Sequence, residues 1–219
     1  MLQANIEKIF KYLEGKSVSL VAVTKKIDVD RIVVALETGI TDIGESRIQE
    51  ADVKFADLGT RLHGVHKHFI GHLQTNKIKK AVELFDLIQS VDRIEVAEVI
   101  NTCATQLKKK QDCLLEVKIS HEVTKYGIEP QSVEDVYRDT LRFSNIRICG
   151  LMVMAPFFEN PEMTRPFFKK ARELFDRMSH TFPSADFTIL SMGMSNDYRI
   201  AVEEGATMVR VGTALFEEI

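Results

Sequence analysis

Short apolar runs rich in β-branched residues alternate along this chain with longer stretches whose apolar positions recur at helical spacing. The runs that read as strands are residues 18–23 (VSLVAV), 41–44 (TDIG), 66–71 (HKHFIG), 86–91 (DLIQSV), 113–119 (CLLEVKI), 146–154 (IRICGLMVM), 187–193 (FTILSMG) and 208–213 (MVRVGT). Between them, residues 28–38, 46–57, 75–84, 93–108, 131–142, 161–180 and 195–204 read as helices, and residues 2–13 form a further helix ahead of the first strand. Pro161 stands near a predicted helix start, where its missing N–H costs little. Eight strands with helices between them predict an α/β fold, a single (β/α)8 TIM-type barrel with an extra N-terminal helix. The competing open, doubly wound sheet has fewer strands and carries G-x-G-x-x-G in its first turn, and no such turn follows residues 18–23. With no linker, repeat or low-complexity segment, residues 1–219 read as one domain.

Composition narrows the function classes. A net charge of -3 and a pI near 6.1 argue against a polyanion-binding surface, so no nucleic-acid partner is expected. Cys103, Cys113 and Cys149 are odd in number and widely spaced, which is no disulfide framework and points to a reducing, cytoplasmic setting. The first residues carry charges throughout and lack the apolar core of a signal peptide. No apolar run approaches the roughly eighteen residues that span a bilayer, so no membrane partner is expected either.

Barrel enzymes and binders place their working residues at the C-terminal ends of the strands. That rule selects Thr24-Lys25-Lys26 after the first strand, Gly44-Glu45-Ser46 after the second, Gly71-His72 after the third, Ser191 to Ser195 at the seventh, and Arg210 to Thr213 at the eighth. An amine desolvated at the barrel mouth loses its proton more easily and becomes a nucleophile for aldehydes, which makes Lys25 a candidate for a Schiff base. Period-2 alternation sets Lys25 in line with Val21 and Val23, leaving open which face is inward. The glycine-containing ends of the last two strands, with Ser195 at a helix start, suit a phosphate, although turn glycines and a helix cap explain them equally well. Arg210 only donates hydrogen bonds and stays charged, so a pyridine nitrogen facing it must be an unprotonated acceptor and a weak electron sink. Its alternative partner is an inward carboxylate such as Glu116.

Read together, VAVTK (21–25), IGESRIQE (43–50), HFIGHLQTNK (68–77), TKYGI (124–128), GLMVM (150–154), SMGMSND (191–197) and MVRVGTALF (208–216) resemble the pyridoxal phosphate homeostasis proteins, the YggS/PROSC group, which share their fold with the barrel domain of bacterial alanine racemase. The matches run in family order over nearly the whole chain. The resemblance implies that Lys25 binds pyridoxal 5'-phosphate (PLP) covalently. It also implies that Met194, Ser195, Gly212 and Thr213 form the phosphate cup and that Arg210 meets the ring nitrogen. It further implies a role in storing PLP or delivering it to PLP-dependent apoenzymes, with no catalytic residue. The chain departs from the family at Ser46, where asparagine is usual, after Lys25, where a proline is often found, and at Glu217, where glycine follows the phenylalanine.

Other constellations carry less. His63, His66, His68 and His72 cluster around the third strand without a clear third ligand, so no metal is expected; His68 opens the HFIG motif and is a candidate neighbour of the cofactor. Lys125 is a second amine on the same mouth, Glu116 and Lys118 share a strand face and form a candidate interior pair, and Lys108 to Lys110 read as a solvated helix end. Two rivals remain. A PLP-dependent racemase needs bases on both faces of its substrate, one of which its relatives take from a second domain for which residue 219 leaves no room. A barrel enzyme for a phosphorylated sugar would share the cup and leave Lys25 incidental.

Overall fold

Every predicted strand forms in the computed structural model, which describes residues 1–120 and 126–217. Strands β1 (Ser19–Val23), β2 (Asp42–Glu45), β3 (His66–Phe69), β4 (Leu87–Val91), β5 (Gln111–Val117), β6 (Ile146–Val153), β7 (Ile189–Ser191) and β8 (Met208–Val211) pair in parallel with their sequence neighbours, and β8 closes on β1. Helix α1 (Leu2–Leu13) precedes the barrel. Helices α2 (Val29–Glu37), α3 (Ile48–Leu58), α4 (Ile78–Leu84), α5 (Ile94–Gln106), α6 (Val133–Thr140), α7 (Arg165–Thr181) and α8 (Tyr198–Glu203) connect the strands. A last turn, α9 (Thr213–Phe216), follows β8, and α1 is tied to it where Asn5 Nδ2 donates to Leu215 O at 3.2 Å.

Alternation along the strands sorts two cores. Val21, Leu87, Leu114, Cys149, Met152 and Met208 fill the barrel, while the larger apolar cluster lies between strands and helices. Inward residues sit two apart, so the inward face of β1 carries Val21 and that of β8 carries Met208 and then Arg210. On β6 the parity changes between Cys149 and Met152. Cys113 pairs with Ile148 but Leu114 pairs with Gly150, so Cys149 is the extra residue of a bulge. Gly150 (φ 149°) makes this bulge feasible, because a Cβ there would lie 1.8 Å from Ile189 O.

Several boundaries move for local reasons. Asp28 Oδ1 accepts from Arg31 N and starts α2 where expected. The stretch after Pro161 is first a 3₁₀ turn, Pro161–Thr164, capped by Asn160, and the α-helix begins only at Arg165. Residues 75–77 are likewise 3₁₀ before α4. Strand β7 ends at Ser191 because the chain turns at Gly193 (φ 91°), where a Cβ would meet Ala201 Cβ at 2.5 Å. Among the described residues no helix is long and apolar enough to cross a membrane.

Candidate functional site

Lys25 lies two residues beyond β1, on the inward parity set by Val21. The structure corrects its expected desolvation: the side chain is exposed at the open mouth, and no described residue hydrogen-bonds or ion-pairs with its Nζ. What is buried is the support beneath it. Lys54 Nζ, on α3, donates to Thr24 O at 2.6 Å, to Glu45 Oε1 at 2.9 Å and to Glu50 Oε1 at 2.6 Å. Thr24 Oγ1 donates to Glu45 Oε1 at 2.8 Å, and Lys26 N donates to Glu50 Oε1 at 2.6 Å. The residues on both sides of Lys25 are therefore pinned, with Lys26 held at φ 61°. Burial raises the Glu45 carboxyl above its ordinary range despite the bonds from Lys54 and Thr24. Burial also pushes Glu50 upward, but the bonds from Lys54 and the Lys26 N–H outweigh it and hold that carboxyl low. Lys54 was not among the residues that the sequence singled out; its signal was the i,i+4 spacing from Glu50 after the acidic end of β2.

Across the β1–β8 seam, Ser195 Oγ accepts from Gly212 N at 3.1 Å and from Ala214 N at 3.2 Å. Two backbone N–H groups thus converge on one half-buried oxygen, the arrangement that backbone nests offer to oxyanions. Thr213 stands exposed between them as the first residue of α9. The expected part of Met194 needs correction. Its N–H is already bound by Asp197 Oδ1 at 2.6 Å and its side chain is exposed, because the chain closes a capping turn ahead of α8. Asp197 is buried, which raises its carboxyl, while the Met194 N–H and Arg210 act in the opposite sense.

Arg210 is buried and reaches the C-terminal ends of two strands, with Nη1 donating to Ser191 Oγ at 2.6 Å and Nη2 to Val153 O at 3.0 Å. Burial lowers its pKa to about 10, opposed by Glu116 and Asp197, so it is charged at neutral pH. The alternative ion pair with Glu116 does not form among the described residues; the two interact through space only. Lys118, the candidate partner of Glu116, faces Glu129 Oε1 at 3.5 Å instead, because the chain returns beside β5 through the Val117–Ile128 bridge. His68 packs inside, between Asp42 and Gln89, whereas His72 stacks on Tyr126. No group of three or more His, Cys, Asp or Glu side chains suited to a metal occurs among the described residues. Lys125 lies outside them.

Glu116 gives a testable pH signature. Burial, reinforced by Asp92 and opposed by Arg210, pushes its carboxyl from 4.5 to about 7. The folded state then binds this proton more tightly than the unfolded chain, so the associated stability is complete below pH 4.5 and is lost as pH rises through about 7. Glu116→Gln, which imitates the protonated acid, is expected to match the wild type near pH 4.5 and to exceed its stability by about 1–3 kcal/mol at pH 8. Urea midpoints at both pH values check this; the same difference at each contradicts it.

Comparison with known proteins adds the following. The profile of the family described as "Alanine racemase, N-terminal domain" matches residues 1–218. A pyridoxal phosphate homeostasis protein of Aquifex aeolicus is 43% identical over 180 residues, covering 82% of this chain and 78% of that one. Another, from Synechocystis, is 38% identical over 200 residues, 91% of each chain. The structure of PipY from Synechococcus elongatus with PLP bound matches at a TM-score of 0.90 and 36% identity, over 99% of this chain and 100% of PipY. The alanine racemase of Clostridium difficile matches at 0.78 with 16% identity over 56% of its length, a likeness of fold alone.

Proposed function

The chain belongs to the alanine racemase N-terminal domain family, among the pyridoxal phosphate homeostasis proteins, and from that premise we propose that it holds PLP reversibly as a Schiff base on Lys25, for storage or hand-over, without a dedicated reaction of its own. The observation that carries this reading is the Ser195 hydroxyl held in place by the Gly212 and Ala214 N–H groups that donate to its Oγ, at the end of the strand next to the one that delivers Lys25. Bound PLP supplies an aldehyde for an amine, a phosphate for backbone donors and a ring nitrogen for a cation. The residues present fit all three. Lys25 offers the amine, Ser195 Oγ accepts the Gly212 and Ala214 N–H groups and so has its own O–H left to donate to the phosphate, and Thr213 stands between those groups. Arg210 gives the ring nitrogen a donor that cannot also accept, and so keeps it unprotonated. The exposed mouth leaves the covalent link accessible to water and favours exchange.

Ser195→Ala removes the hydroxyl that organises the cup and one polar contact to a charged group. PLP affinity is expected to fall roughly tenfold to a hundredfold, while pyridoxal, which lacks the phosphate, is nearly insensitive. Equal losses for both ligands would remove the cup from this position. The non-catalytic part is tested by incubating the loaded protein with each common L-amino acid. Sustained formation of D-isomer, keto acid or amine, absent in Lys25→Ala, overturns it. Transfer to an apoenzyme no faster than spontaneous release leaves storage and removes delivery.

A further inference from the structure

A hydrogen-bonded chain crosses the barrel interior from Arg210 to the opposite end. Arg210 Nη1 donates to Ser191 Oγ at 2.6 Å, and Ser191 Oγ donates to Gln89 Oε1 at 2.7 Å. Gln89 Nε2 lies 3.0 Å from His68 Nδ1, and His68 Nε2 lies 2.9 Å from Asp42 Oδ1. Ser191, Gln89, His68 and Arg210 are all buried, while Asp42 borders a cavity of about 280 Å³ under α1 at the N-terminal ends of the strands.

With His68 as a neutral imidazole, the two ends fix the direction of the protons between them. A guanidinium only donates, and an ionised carboxylate only accepts. Asp42 is held below its ordinary range because, against the burial that raises it, hydrogen bonds from His68 and Thr41 prevail. It therefore takes the Nε2–H of His68, and in the neutral imidazole Nδ1 is then the acceptor. Gln89 must then present its NH₂ to His68, and it steadies that orientation with a second contact to Met208 Sδ at 3.3 Å. The amide oxygen is thereby turned toward Ser191, whose hydroxyl hydrogen must point to it. The lone pairs of Ser191 are left for Arg210. Reversing any link sets two donors or two acceptors against each other in a buried place, where a missing partner costs more than the bond contributes.

We propose that Ser191 and Gln89 are positioning residues for the cofactor: through this polarised chain they fix the guanidinium of Arg210, and with it the donor that Arg210 offers the ring nitrogen. The proposal rests on the reading of Arg210 as the ring-nitrogen partner. Neither residue contacts the phosphate cup or Lys25 among the described hydrogen bonds.

The test compares affinity for PLP with affinity for its 1-deaza analogue, in which a C–H replaces the ring nitrogen. Wild type is expected to prefer PLP roughly tenfold, the scale of one hydrogen bond to a charged group. Ser191→Ala is expected to lose most of that preference while binding the analogue as the wild type does, and Ser191→Thr, which keeps a hydroxyl, to retain it. Gln89→Met should behave like Ser191→Ala and serves if that variant does not fold. A purely structural role would weaken both ligands together, and that result overturns the proposal. So does a full preference retained in Ser191→Ala or Gln89→Met. A wild type without preference overturns instead the assignment of Arg210 to the ring nitrogen.

Discussion

Lys25→Ala is expected to abolish covalent capture of PLP altogether while leaving the fold intact. Absorption of the Schiff base should vanish, and borohydride should fix no cofactor to the protein. The variant should still bind PLP weakly through the cup at Ser195 and Gly212 and through Arg210, since these groups sit on other strands. Because the Lys25 side chain is exposed and makes no hydrogen bond or ion pair with a described residue, the unfolding free energy should change by less than about 0.5 kcal/mol. Equilibrium dialysis, difference spectroscopy and urea unfolding check the three parts. A variant that remains yellow and reducible would transfer the role to another amine, of which Lys26 is the nearest in sequence.

Lys54→Met is expected to have the largest effect on stability. Glu45 is wholly buried, and Lys54 is the cation that faces it. Removing one partner of a buried ion pair strands the other charge, at a cost of about 3–5 kcal/mol. The same change releases Thr24 O and the end of Glu50, the two attachments that flank Lys25. Glu45 Oε2 finds no hydrogen-bond partner among the described residues, so the network has little left to rearrange into. Adding Glu45→Gln to Lys54→Met removes the stranded charge and should recover a substantial part of the loss. Urea midpoints of the two variants decide: a loss under about 1 kcal/mol for Lys54→Met, or no recovery in the double variant, contradicts this account.

The barrel was legible because its strands are short and apolar and are separated by amphipathic helices, a pattern that few other folds need. Its candidate site was chosen for a related reason, since the topology assigns the mouth to strand C-termini. Lys25, Ser195, Arg210 and Gly212 could be picked out on that rule. Their surroundings were harder to read. The exposure of Lys25 depends on how far the loops rise around the mouth, which alternation does not encode. The N–H of Met194 was offered to a ligand, but Asp197, three residues on, already takes it. A carboxylate four positions after a turn glycine was the available signal. Gln89 escaped notice, and Ser191 was picked out only as part of the end of the seventh strand, because polar residues in apolar strands look like interruptions until the barrel closes and brings the two within 2.7 Å of each other across 102 residues of chain. The Glu116–Lys118 pairing failed for a comparable reason: shared parity brings two residues to one face, but the returning chain set Glu129 nearer to Lys118.

The central claim, that this barrel holds PLP on Lys25, is tested most directly by peptide mass mapping of the wild-type protein after loading with PLP and reduction with borohydride. The account predicts one phosphopyridoxyl group per chain, on the peptide that carries Lys25. Modification confined to Lys26, Lys125 or any other lysine, or no modification under saturating PLP, would contradict it.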